Sequence, residues 1–286
     1  MDEKLVSLIV DEIMKRLGEV AGDSFGACAQ ETSCEACKDI ASPECKALPL
    51  IKAEDPDALL RMKSRTTARI GVGKAGPRLN TQTMLTLRAD HAKARDAVFV
   101  DVDQKQMEAL GLFTVQTTCE DKDTYITRPD MGRQLNKEAI RTLKENCIMN
   151  PDVQIYAADG LSSTAVHANL AKILPVLTDS LKAKGLKVGT PFFLRFGRVG
   201  SQEHVSEILG AKVVCVLIGE RPGLATAESM SAYISYNAYV GMPESKRTVV
   251  SNIHKDGTAA VEAGAYVAEV ICKILEQKAS GVDLIK

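Results

Sequence analysis

The feature that most constrains the fold is an alternation of short apolar runs with helical patterns, beginning at Pro151. Four runs have the length and composition of buried strands: VQIYAA (153–158), FFLRF (192–196), VVCVLI (213–218) and TVVSNI (248–253). Helical patterns follow them at about 163–184, 202–209, 225–236 and 259–278. Repeated β-α units form a parallel sheet with helices on both faces. We therefore predict an α/β fold in which residues 151–286 form a Rossmann-like, parallel-sheet domain.

The chain before this region shows mainly helical signals. Pro56 suits the first turn of a helix, and Asp103 and Asn136 suit N-cap positions. Strand-like pieces in this part, such as 113–117, are short. Residues 55–150 are therefore predicted as a mainly helical domain.

The N-terminus has the pattern of a tethered amphipathic helix. Residues 2–20 carry one apolar stripe, with charged side chains on the opposite side: Leu5, Val6, Ile9, Val10, Ile13, Leu17 and Val20. Residues 21–54, rich in Ala, Gly, Ser, Glu and Cys, show no apolar period and are predicted as a flexible linker. A helix on such a tether has no local surface for its stripe, so we expect it to dock on another protein.

Four cysteines of the linker leave two interpretations open. Cys28, Cys34, Cys37 and Cys45 could hold zinc or an iron–sulfur cluster as thiolates. Their spacing fits no standard ribbon or ferredoxin pattern, which favours an unstructured tether without metal. The N-terminus has no apolar segment of a secretory signal, so a reducing, cytosolic setting without disulfides is expected.

Composition argues against two classes of partner. The chain has 36 basic and 37 acidic side chains among 286 residues, so no net field attracts nucleic acid. Aromatic residues make up only 4%, with no Trp to stack on bases. No apolar run approaches the roughly 18 residues that a membrane span needs. We expect a soluble protein that binds neither nucleic acid nor membrane.

The carboxyl ends of the predicted strands indicate a binding site. In parallel sheets ligands bind beyond these ends, at one edge of the sheet. Asp159, Arg198, Glu220, Arg221 and His254 each follow a predicted strand, accompanied by glycines that let the backbone approach a ligand. We expect these side chains to face a common crevice.

Two stretches resemble known cofactor-binding motifs, and we interpret both matches as coincidental. Gly71–Gly76 matches the G-x-G-x-x-G pattern of dinucleotide loops, but it lies outside the β-α region and Pro77 interrupts the expected helix. It is predicted to be a compact basic loop. Asn252–Gly257 is close to the cobalt-ligating D-x-H-x-x-G motif, but Asn252 replaces the orienting carboxylate, so His254 is not expected to ligate cobalt.

The chain shows no self-sufficient catalytic set, having four histidines and none of the hydrolase, metalloprotease or Walker motifs. A resemblance accounts for this. The following stretches resemble the small (light) subunit of ethanolamine ammonia-lyase from about residue 55 to the C-terminus: RIGVGKAGPR (69–78), RADHAKARDAV (88–98), DKDTYITRPDMGR (121–133), ADGLSSTAV (158–166), RFGRVG (195–200), LIGERPGLATAESMS (217–231), SNIHKDGT (251–258) and LEQKASGVDLI (275–285).

The resemblance implies a non-autonomous subunit of an adenosylcobalamin-dependent lyase that converts ethanolamine to acetaldehyde and ammonia. In that family a TIM-barrel large subunit carries the substrate pocket. The small subunit helps to hold the cobalamin from its lower face, with dimethylbenzimidazole still on cobalt. A hetero-oligomer with the large subunit, contacted by residues 55–150, is therefore expected.

The same resemblance implies three cofactor-binding residues and no catalytic or metal-ligating ones. Val199 matches the Val of a G-R-V loop, and Glu220 the Glu of G-E-R-P-G. Val249 stands where the family usually has the Cys of R-T-C-x-S-N-I-H, which leaves a backbone or packing contact but no thiol. Glu220 has an alternative interpretation as an ion-pair partner of Arg198 or Arg221.

The family context also implies packaging in a bacterial microcompartment within the cytoplasm, with residues 1–20 as a tag for a shell protein. Two other functions remain open from the residues alone. One is a stand-alone Rossmann-like enzyme that binds a nucleotide or small acid at the strand ends. The other is a non-catalytic assembly scaffold.

Overall fold

The computed structural model describes residues 53–285. The predicted N-terminal helix and the four linker cysteines lie outside these residues. The helices are α1 (Pro56–Lys63), α2 (Thr81–Phe99), α3 (Gln104–Ala109), α4 (Lys122–Thr127), α5 (Lys137–Asn146), α6 (Ser163–Ala183), α7 (Ser201–Leu209) and α8 (Ala260–Gln277). The strands are β1 (Lys74–Ala75), β2 (Arg78–Leu79), β3 (Phe113–Gln116), β4 (Val153–Ala158), β5 (Phe192–Arg195), β6 (Val213–Gly219), β7 (Met230–Tyr236) and β8 (Thr248–Ile253).

Six strands form one mixed sheet in the order β3-β5-β4-β6-β7-β8. The first four in that order are parallel, and β7 is antiparallel to both β6 and β8. The predicted α/β class is confirmed, but the sheet is mixed and not wholly parallel as predicted, because β7 runs antiparallel to its neighbours. β3 brings the 55–150 region into the same sheet, and the predicted domain boundary at residue 150 stays a prediction.

The predicted helix at 225–236 is wrong, because residues 230–236 form β7. Met230, Ala232 and Ile234 pack into the core on one side of the sheet, and Tyr233 packs on the other side. This period of two, with β-branched and aromatic residues, is that of a strand buried on both faces. Because β7 reverses direction, β8 runs the same way as β6, and its carboxyl end reaches the common edge.

Side chains alternate between two apolar layers along each central strand. In β6, Val213, Cys215 and Leu217 face the layer formed with α6 and α8, whereas Val214, Val216 and Ile218 face the layer formed with α5 and α7. We call the second side the α7 face. Burial on both sides explains why these strands read as continuous apolar runs.

The segment from α1 to α2 is much less buried than the sheet. In the 19 residues of α2 only Thr86, Asp90 and Ala97 are buried. Asp90 forms an ion pair with Arg69. None of the helices between residues 53 and 285 has the length and apolar character needed to cross a membrane.

Candidate functional site

Two strand-end loops touch through their backbones at the carboxyl edge of the sheet. Gly160 follows β4 with a φ of +56°, and a Cβ there would lie 2.2 Å from the Gly219 carbonyl oxygen. A Cβ on Gly219 would lie 2.1 Å from the carbonyl oxygen of Ser162. Only glycine permits this close approach at both positions, so the backbones of the two loops pack directly against each other.

Asp159 organises the loop between β5 and α7. Its carboxylate is buried and accepts hydrogen bonds from the backbone N–H groups of Phe196 (3.0 Å) and Gly197 (3.1 Å). Phe196 has a φ of 58°, which is uncommon for a bulky residue and is held here by the Asp159 bond. Burial raises the pKa of Asp159 to about 6, although Lys122, 3.9 Å away, lowers it.

Arg198 belongs to the support of this loop. Its guanidinium lies over the Tyr125 ring, 4.2 Å from the ring centroid, and Nη2 donates to the Tyr125 carbonyl oxygen at 2.8 Å. The Tyr125 hydroxyl in turn donates to the Gly197 carbonyl oxygen at 3.1 Å. This side chain is therefore engaged in holding the loop and is not paired with Glu220.

Glu220 and Val249 meet around Tyr233, and we call these three residues the Tyr233 cluster. The Tyr233 hydroxyl donates to Glu220 Oε1 at 2.9 Å. Tyr233 is also the cross-strand partner of Val249, so both side chains project from the α7 face. Burial and the adjacent carboxylate raise the pKa of Tyr233 to about 12, which keeps the hydroxyl a donor. Val249 is 44% exposed.

Val199 lies on the same face, at the turn that leads into α7. It is half-buried against the apolar layer of the α7 face. Gln202, three residues later, donates from Nε2 to the carbonyl oxygens of Tyr233 (2.6 Å) and Val214 (3.2 Å). Tyr233 thus bonds to Glu220 and pairs across the strands with Val249, and Gln202 links the Val199 turn to the backbone of Tyr233.

His254 is turned into its own loop. The Asp256 N–H donates to Nδ1 at 3.2 Å, so the ring proton is on Nε2, which donates to Asn252 Oδ1 at 2.8 Å. The imidazole is buried, and both nitrogens are engaged. Arg221 is exposed in the loop after β6. Of the five charged residues expected in one crevice, Asp159 and Arg198 support the same loop, whereas Glu220, Arg221 and His254 lie in other local surroundings.

The glycine pattern at Gly71–Gly76 forms part of a β-hairpin. β1 and β2 pair antiparallel around Gly76 and Pro77, and α2 begins only at Thr81. A dinucleotide loop requires a strand that leads directly into a helix. The hairpin agrees with its interpretation as a compact basic loop.

Two sets of residues on the α7 face were missed by sequence reasoning. Tyr233 was missed because its segment was predicted as a helix. The other set is a buried ion pair between Glu203 at the start of α7 and Arg247 just before β8. No rule of sequence spacing links Glu203 with Arg247. An Arg directly before a strand is only a weak signal of a buried ion pair. Among residues 53–285 no cluster of three or more potential metal ligands occurs.

Comparison with known proteins identifies the family. A family model described as ethanolamine ammonia-lyase light chain matches residues 56–285. The ethanolamine ammonia-lyase small subunit of Fusobacterium nucleatum is 59% identical over 82% of this chain and 80% of its own length. That of Clostridium tetani is 60% identical over 81% and 78%, and that of Clostridium perfringens 49% identical over 99% and 93%. The chain therefore belongs to the ethanolamine ammonia-lyase light chain family.

Proposed function

We propose that Val199, Glu220 and Val249 form this subunit's share of the cobalamin site at the interface with the large subunit. The chain is the small subunit of an adenosylcobalamin-dependent lyase that acts on ethanolamine. The cofactor, when bound, supplies the radical by homolysis of its cobalt–carbon bond. The residues of this chain bind and orient it.

The chemistry of the Tyr233 cluster fits such a ligand. A corrinoid carries many amide N–H groups and an apolar ring edge. The Glu220 carboxylate only accepts hydrogen bonds, and Tyr233 holds it at the half-exposed rim of the sheet. Val249 provides apolar surface beside Tyr233. Both nitrogens of His254 are engaged within its own loop, so this imidazole is not free to replace the cofactor's own base.

Each residue then has a distinct task. Glu220 accepts hydrogen bonds from the ligand's amide or hydroxyl groups through the oxygen that Tyr233 leaves open. Val249 packs against the ligand in place of the thiol side chain usual in the family. Val199 offers its backbone and an apolar surface at the turn before α7. The observation that carries the proposal is that Tyr233 fixes the Glu220 carboxylate and is the cross-strand partner of the exposed Val249.

Replacement of the Glu220 charge tests the site. We expect Glu220→Gln to weaken cobalamin binding by the reconstituted two-subunit enzyme about 10-fold, since a charge-assisted hydrogen bond becomes a neutral one. A titration of the apoenzyme followed by the ultraviolet–visible spectrum measures this affinity. Glu145→Gln on the outer side of α5 is the control. Equal affinities for wild type and Glu220→Gln would contradict the role of Glu220.

The contact with the large subunit is assigned to the 55–150 region, with its least buried segment as the main surface. Residues 58–95 contain nine Lys and Arg side chains and one acid, Asp90. Leu60, Met62 and Leu85 are exposed in the same segment, and Phe99 is exposed just after it. Exposed apolar side chains among basic ones are typical of a surface that docks on an acidic partner.

Packaging in a microcompartment is the third part of the proposal. Residues 1–20 have the amphipathic pattern of a docking helix, and the match to the Clostridium perfringens relative extends over 99% of the chain and so includes most of this segment. We assign the apolar stripe to a shell protein.

A further inference from the structure

Among residues 53–285, Arg247 and Glu203 form the most buried ion pair, which lies on the α7 face next to the amino end of β8. The side chains are 2% and 9% exposed, and Arg247 Nη2 donates to Glu203 Oε1. Glu244 pairs with the other terminal nitrogen, Nη1, of the same guanidinium. Removing charges from water is costly, and buried ion pairs are often no more stabilising than apolar side chains of similar size. The stability of the fold alone does not explain this pair.

The pair connects the two elements that carry Val199 and Val249. Glu203 lies in the first turn of α7, four residues after Val199. Arg247 precedes β8 and is two residues from Val249, so the two side chains leave the strand on the same face. The bond between Arg247 and Glu203 therefore spans the α7 face beside the Tyr233 cluster.

Glu203 also fixes the loop that leads from β7 to β8. Its second oxygen, Oε2, accepts from the Gly241 N–H at 2.9 Å, and Glu207, one turn later, accepts from the Val240 N–H at 2.9 Å. One helix thus holds both this loop and the start of β8. Directional bonds of this kind specify the separation of α7 and β8 more narrowly than apolar packing does.

We propose that Glu203 and Arg247 are a positioning pair for cobalamin. They set the distance between the Val199 turn and Val249, and with it the width of the surface that receives the cofactor. This inference rests on the proposed function, because it assigns the pair a role in the same site. Neither residue needs to touch the cofactor.

Variants of the pair in the reconstituted two-subunit enzyme test this role, with thermal stability and cobalamin affinity measured separately. Arg247→Met leaves Glu203 buried without its partner, so thermal stability and cobalamin affinity should both fall. The double variant Glu203→Met, Arg247→Met removes both charges and should regain most of the lost stability. Its cobalamin Kd should nevertheless remain about 10-fold or more above wild type, as is usual when a supporting residue of a cofactor site is lost. The KM for cobalamin should rise more than kcat falls.

Two further variants sharpen the result. Arg247→Lys keeps one charge-assisted bond to Glu203 and should have an intermediate Kd. Leu181→Ala, at the carboxyl end of α6 and away from the binding edge, should lose stability through a core cavity without a change in Kd.

Wild-type affinity in the double variant would overturn the positioning role, since the pair would then act on stability only. Failure of the wild-type complex to retain cobalamin would overturn the proposed function itself, and this inference with it. A normal Kd for Glu220→Gln, together with a raised Kd for the double variant, would overturn the role of Glu220 while supporting the pair.

Discussion

At the scale of single residues, Asp159 shows how a buried acid is used for structure. It accepts two backbone hydrogen bonds from the β5-α7 loop and faces Lys122, whose pKa burial lowers. These contacts do not fully offset the loss of hydration, because the pKa of Asp159 remains raised to about 6. The carboxylate therefore holds the Val199 loop in place but is easier to protonate than an exposed aspartate.

The raised pKa of Asp159 predicts a specific pH dependence of stability. Because the folded-state pKa of about 6 exceeds the ordinary value of 3.8, the folded chain retains a proton that the unfolded chain has already lost. Its contribution is therefore fully present below pH 3.8 and declines as pH rises towards 6. The difference in free energy of unfolding between wild type and Asp159→Asn should fall by at most about 3 kcal/mol between pH 4 and 7.

Urea unfolding at a series of pH values measures this difference. Any loss of hydrogen bonding in Asp159→Asn adds an offset that does not depend on pH. Asp152→Asn is a control of opposite sign, because Lys212 lowers the pKa of Asp152. Its stabilising contribution is lost as pH falls. A pH-independent difference for Asp159→Asn would show that this carboxylate titrates normally in the folded chain.

The sequence could predict the place of Glu220 but not its partner. The rule that ligands bind beyond parallel strand ends selects the residue after β6 without further information. Tyr233 reaches Glu220 only because β7 pairs antiparallel with β6, which the predicted helix concealed. In the same way, Arg198 follows β5 as expected, but its guanidinium is taken by Tyr125, a contact between residues 73 positions apart.

At the scale of elements, continuous apolar runs identified β4, β5, β6 and β8 within one or two residues. Burial on both faces produces that signal in β4, β5 and β6, whereas β8 is an edge strand and is largely exposed. β7 is similarly buried, but its two serines interrupt the apolar run, so its sequence fits a helical pattern as well as a strand. Ser231 and Ser235 are buried in the sheet, and the Ser235 hydroxyl donates to Gln202 Oε1 at 3.0 Å. A hydrogen-bond partner in α7 thus allows a strand that contains serines to be buried. No local sequence pattern reveals such a partner.

The β1-β2 hairpin offers a test of the proposed docking surface. Lys74 and Arg78 are exposed on it. Reversing both charges, Lys74→Glu and Arg78→Glu, should weaken binding of the large subunit roughly 10-fold or more, because like charges would then face an acidic surface. The effect should be smaller in high salt.

Titration of the large subunit at two salt concentrations, followed by sedimentation, measures the effect. Lys182→Glu with Lys184→Glu is a matched control, since these exposed lysines lie at the carboxyl end of α6. If the hairpin variant and the control bind equally well, the basic segment does not form the contact.

At the scale of the whole molecule, the proposed function makes the chain a binding surface that another polypeptide completes. Its charged residues at the strand ends are engaged with each other or with the backbone, as Asp159, Arg198 and His254 show. The proposed contacts with the cofactor are an acceptor, Glu220, and apolar side chains, which suit holding a large ligand more than proton transfer. Under the proposed function, substrate chemistry is left to the large subunit and the cofactor.

The assignment of residues 1–20 to a shell protein makes the last prediction. A helix that binds through its apolar stripe should lose binding when a charge enters that stripe, since the charge would have to be desolvated. Ile9→Glu with Ile13→Glu should therefore abolish co-localisation with shells as fully as deletion of residues 1–20. Both variants should keep ethanolamine deamination, because residues 1–20 include none of the proposed cofactor-binding residues. Lys15→Glu changes a charge on the opposite side and should co-localise normally. Fluorescence microscopy of tagged enzyme and shell, with a deamination assay on the same cells, separates these outcomes, and persistent co-localisation of the deletion variant would show that the stripe is not the tag.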